Sequence, residues 1–99
     1  MALVSREALR VAIDAAVTSL VAEAAPGWPI RHDHCFLRVA YDNACGAKWD
    51  TVVRPPAKRN LPVEALAEAL RLLETMADAG TLRALNNCSL ALRGHLRGK

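Results

Sequence analysis

Apolar residues in this chain recur at three- and four-residue spacing, in blocks cut by proline and glycine, and that pattern restricts the fold to packed helices. Behind Ser5, a good N-cap with Glu7 in the following turn, Leu9, Ile13, Ala16, Val17, Leu20, Val21 and Ala24 form one stripe. "PGWP" at 26–29 ends it, because proline cannot continue a helix and glycine favours a turn. A second helix is predicted from Asp33, as N-cap, to Cys45, with Gly46 as the terminating glycine. "CFLRVAY" within it holds strand-favouring residues, but they do not alternate, and the alanines at 40, 44 and 47 favour a helix.

Residues 47–61, with "RPPAKRN" at their end, have no apolar period and read as a long irregular loop. A third helix follows Asn60 as N-cap, with Pro62 in its first turn. Val63, Leu66, Leu70, Leu73 and Ala77 make its stripe, and Gly80 ends it. A fourth begins near Thr81 and carries Leu82, Leu85, Ser89, Leu92 and Leu96, with Gly94 and Gly98 weakening its end. The fold class expected is all-α, a small four-helix domain spanning residues 1–99, with a long irregular loop after the second helix. The alternative is α+β with a short strand near 49–53, since Thr51 and the two valines after it are β-branched.

Four aromatic residues, Trp28, Phe36, Tyr41 and Trp49, leave the core to be built from Leu, Val, Ile and Ala. A core of that kind is thin, and a homo-oligomer would relieve it. A structural subunit of an oligomer, with buried polar groups forming a network, is therefore one functional alternative. There is no apolar run long enough for a transmembrane helix, and Arg6, Glu7 and Arg10 interrupt any signal-peptide core. A cytoplasmic protein with no membrane partner is expected. Cys35, Cys45 and Cys88, an odd number, do not suggest a disulfide framework.

Charge is unevenly spread. Residues 31–59 carry six basic and three acidic groups, and residues 83–99 carry four basic and none acidic, with an acidic segment between. That distribution favours an anionic ligand or partner, nucleic acid included. The segment from Arg31 to Asp50, "RHDHCFLRVAYDNACGAKWD", holds most of the residues able to ligate, donate or titrate. On a helix, Phe36, Val39, Ala40 and Asn43 share a core face, while His34, Arg38, Asp42 and Cys45 form a polar row in which Arg38 and Asp42 can pair. The leading expectation is a binding or accessory protein using Arg31, His32, His34, Arg38, Asp42, Lys48, Trp49 and Arg54. Trp49, Tyr41 and Trp28 are planar surfaces for stacking.

The second expectation is an enzyme or redox protein with Cys35 as nucleophile, His34 beside it and Asp42 as a further candidate catalytic group. Asp42 and Asp50 could also act as an acid–base pair. A metal is not expected, because the His and Cys spacings match no zinc pattern. No cofactor is indicated: the chain has no phosphate-binding P-loop, no dinucleotide fingerprint and no nucleophile elbow. Asn86 and Asn87, unfavourable within a helix, would need polar partners if buried, and the polar row of the second helix is the candidate. "HCFLRVAYDNACGAKWD" resembles segments of short uncharacterised bacterial proteins, some of which carry an acetyltransferase label. The resemblance implies that activity, although the chain lacks the Arg/Gln-x-x-Gly-x-Gly loop with which such enzymes hold pyrophosphate.

Overall fold

The computed structural model describes residues 5–94. Five helices and no strand occur among them: α1 (Arg6–Glu23), α2 (Asp33–Cys45), α3 (Ala57–Asn60), α4 (Val63–Leu73) and α5 (Ala79–Leu92). The four long ones are the expected helices, and the domain is all-α. No strand forms near 49–53. Trp49–Thr51 is a 3-10 turn, closed by Thr51 and Val52 amides on the carbonyls of Lys48 and Trp49. The loop is also less irregular than its sequence, because α3 adds one helical turn after a cis Pro55–Pro56 bond.

Each helix starts and stops for a local reason. The Ser5 hydroxyl accepts the Ala8 amide and caps α1. At the end of α2, Gly46 takes φ 66°, the left-handed conformation that only glycine adopts without strain, and closes the helix as expected. Four boundaries differ from the sequence expectation. His32, not Asp33, is the N-cap of α2, and Asp33 is its first residue. Pro62, not Asn60, caps α4, while Asn60 closes α3 and donates its amide to the Arg54 carbonyl. The third expected helix stops at Leu73, well before Gly80. The Asp78 carboxylate accepts both the amide and the hydroxyl of Thr81, so a new helix starts at Ala79 and Gly80 lies in its first turn. Leu96 and Gly98, assigned to the end of the last helix, lie outside the described residues.

The central element is α2, which packs against α1, α4 and α5 and carries the 3-10 turn on its C-terminal side, while α1 and α4 close on each other. The core is aliphatic apart from Phe36 and Tyr41: Leu9, Ile13, Val17 and Leu20 of α1 meet Phe36, Val39 and Ala40 of α2, Leu66, Ala69 and Leu73 of α4, Met76 and Leu82. Trp28 sits at its edge, 6.2 Å from Phe36 in an edge-to-face arrangement. Of the expected α1 stripe, Val21 is exposed. Burying such side chains contributes about 1.5–3 kcal/mol each, so the core depends on many modest contributions.

A groove beside a buried ion pair

Two polar constellations flank α2, and only one of them is open. The closed one centres on Asp42, whose side chain is completely buried. Its carboxylate accepts the Arg93 guanidinium twice, from Nε at 2.6 Å and Nη2 at 3.0 Å. It also accepts the Ser89 hydroxyl at 2.7 Å and the Trp49 amide at 2.9 Å. Burial of a carboxylate is tolerated only with such pairing and hydrogen bonding. The network ties α2 to α5 and starts the 3-10 turn.

This corrects the expected pairing of Arg38 with Asp42. The two are one turn apart but diverge, because Asp42 gains a bidentate, desolvated partner in Arg93 that an exposed helical pair could not match. Arg38 instead donates Nη2 to Asn86 Oδ1 on α5. Asn86 is buried and satisfied from the polar row of α2. The expected polar row is therefore not one accessible face: His34 is exposed, Arg38 and Cys45 are half-buried, and Asp42 is inside. Burial, followed by the Asp42 carboxylate, pushes the Cys45 thiol up. Asp50 is exposed and lies 3.7 Å from Lys48, so it forms no carboxylate pair with Asp42.

The open constellation is a groove of about 330 Å³ between α2, the 3-10 turn and α3, lined by His34, Leu37, Arg38, Tyr41, Trp49, Pro56, Ala57 and Lys58. The far wall is pinned to α1. Arg6 donates Nη1 to the carbonyls of Lys58 and Leu61, and Lys58 Nζ bonds Asp14 at 2.5 Å. Tyr41 and Trp49 meet edge to face, 5.9 Å apart. Most of the lining is apolar; its cations are Arg38 and Lys58. Lys58 is neutralised by Asp14, whereas Arg38 has no carboxylate within 4 Å among the described residues.

Two side chains of this groove each bury a polar atom that has no hydrogen-bond partner among the described residues, Arg38 Nε and Tyr41 Oη. Leaving a buried donor unsatisfied costs about 1–3 kcal/mol. Tyr41 is only 4% exposed, and burial, with a smaller contribution from Asp14, pushes its hydroxyl up to about 12. It is a neutral donor at any ordinary pH.

Of the residues expected to bind, His34, Arg38 and Trp49 meet in this groove. His32 lines a neighbouring depression on the other side of Leu37 and Lys58, together with Asp14 and Asp33, whose carboxylates oppose an anion. Its ring stacks on that of His34, 5.9 Å apart. Arg31 and Arg54 are exposed and do not line the groove, and Lys48 faces Asp50. Asp42 does not line it either, since its oxygens are taken. Cys35 is half-buried; its amide donates to the His32 carbonyl at 3.0 Å, but its thiol makes no hydrogen bond to His32 or His34 among the described residues. Among those residues no three His, Cys, Asp or Glu side chains converge as a metal would need, and no helix is long and apolar enough to cross a membrane.

Leu37, Tyr41, Pro56, Ala57 and Lys58 complete the site. The proline pair in "RPPAKRN" was the signal for its second wall, since prolines stiffen a loop enough to hold one. No protein-family model, no curated protein and no solved structure matches this chain.

Proposed function

We propose that the protein is a small binding protein that takes an anionic ligand with an apolar body into the groove between α2, the 3-10 turn and α3, with Arg38 as its anchor. One observation carries the reading: a half-buried guanidinium stands in a mostly apolar groove, held by a neutral asparagine, with no acidic partner and no partner for Nε among the described residues. Guanidinium groups desolvated in this way bind carboxylate or phosphate oxygens with charge-assisted hydrogen bonds. A concave, largely apolar site with a few convergent donors is the usual form of a small-ligand pocket, and the volume lies at the lower end of that class. The Trp49 ring offers a surface for a planar ligand.

The test is a nitrogen–proton NMR titration with phenylacetate and with phenyl phosphate, following the Trp49 indole resonance. At least one anion should move it, and Arg38→Gln should abolish the response while the rest of the spectrum stays native. A short single-stranded DNA serves as the competing probe. DNA binding that weakens steeply with salt and leaves Trp49 unmoved would transfer the function to the exposed arginines. So would an Arg38→Gln protein that responds like the wild type to either anion remove Arg38 as the anchor.

A further inference from the structure

Resting on that reading, we infer that Asp14 of α1, which lines no part of the groove, determines which anions the groove accepts: by holding the Lys58 ammonium it restricts the site to singly charged anions and disfavours dianions. Lys58 is shared by the groove and by the depression beyond Leu37. Asp14 belongs to the depression and not to the groove, and its carboxylate meets Lys58 Nζ at 2.5 Å. The charge of Lys58 is therefore satisfied on the α1 side, and the groove receives the aliphatic stem of the side chain.

Polar contacts to α1 fix where Lys58 stands, because α3 buries only Ala57 of its four side chains. Arg6 donates Nη1 to the Lys58 carbonyl at 3.1 Å and to the Leu61 carbonyl at 2.7 Å, which holds the backbone, while Asp14 holds the ammonium. Asp33, the other carboxylate of the depression, is engaged at the start of α2: it accepts the His34 amide at 2.7 Å and lies 3.4 Å from His34 Nδ1. Of the basic side chains lining the groove, Arg38 alone has no acidic neighbour among the described residues, since its recorded partner is the neutral Asn86. A dianion would bring a second charge, without a counterpart, into a mostly apolar groove, where uncompensated charge is costly. Releasing Lys58 supplies that counterpart, because its flexible four-carbon stem lets the ammonium turn back toward the groove.

The experiment titrates phenylacetate and phenyl phosphate into the full chain and into Asp14→Asn, well above about pH 6 so that the phosphate is a dianion. The same Trp49 resonance gives both affinities, and their ratio is the readout. The wild type should favour phenylacetate by about fivefold or more, and Asp14→Asn should shift the ratio toward phenyl phosphate by about fivefold, which is what a partly exposed ion pair contributes. Adding Lys58→Met to Asp14→Asn keeps most of the stem, removes the charge and should restore the wild-type preference. A loosened α3 wall would weaken both anions alike, so an unmoved ratio in Asp14→Asn overturns the assignment. A shift that persists in the double variant overturns it too, because the gain then does not run through Lys58. A wild type that binds phenyl phosphate as tightly as phenylacetate overturns it while the Arg38 groove survives, and that comparison stands even if a variant does not fold. No response of the wild type to either anion removes both this assignment and the binding function.

Discussion

Truncating Asp42 to alanine removes four hydrogen-bond acceptances at once. Arg93, with only 16% of its side chain exposed, loses its counter-charge, and the buried Ser89 hydroxyl and the Trp49 amide lose their acceptor. Breaking one side of a buried ion pair costs about 3–5 kcal/mol, mostly because the remaining charge is stranded. A domain of this size has roughly 5–15 kcal/mol of stability in total. About 2.1 cal/mol/K of unfolding entropy per residue, over 99 residues, turns that loss into a fall in thermal midpoint of about 15–25 °C. Thermal and urea unfolding followed by far-ultraviolet circular dichroism measure it. Arg93→Ala should cost a comparable amount. The double variant should cost well under the sum, with a coupling of at least about 2 kcal/mol, because it leaves no stranded charge. Asp42 with Arg38, by contrast, should couple by no more than about 0.5 kcal/mol, the worth of an ordinary pair one turn apart. An Asp42→Ala protein within about 1 kcal/mol of wild type, or additive effects at 42 and 93, would falsify the buried-pair account.

Two further outcomes follow from local geometry. Tyr41 is the only tyrosine, so phenolate absorbance reports it alone. In the unfolded chain it ionises near 10 and in the folded chain near 12, so the stability it contributes is whole below pH 10 and is lost as pH rises through 12. A native-state midpoint close to 10 in the titration would show the hydroxyl to be open to water. Gly46→Ala, at φ 66° with nothing within 4 Å of an added Cβ, should cost about 1–2 kcal/mol from backbone strain alone. A neutral result in urea unfolding would mean that α2 does not need its left-handed cap.

Much of the architecture follows from sequence periodicity, because a helix is a local structure: its hydrogen bonds span four residues, and its caps and breakers sit beside it. The α1 stripe, the Ser5 cap, the Gly46 terminus and the all-α class are legible for that reason. The boundary between α4 and α5 is legible as well, in the Asp78–Thr81 spacing, although Gly80, a residue that favours a helix end, belongs to the next helix. Tertiary structure decided the polar pairings. Sequence proximity favours Arg38 with Asp42, four residues apart. Packing places Asp42 against Arg93 and Ser89, and Arg38 against Asn86, each about fifty residues away along the chain. The difference is desolvation: a surface pair is worth a few tenths of a kcal/mol and selects nothing, whereas a buried carboxylate demands every donor that the fold can bring to it. That demand draws one basic residue of the C-terminal block into the interior. It leaves Arg38, beside it on the same helix, without a counter-charge among the described residues on the wall of an apolar groove.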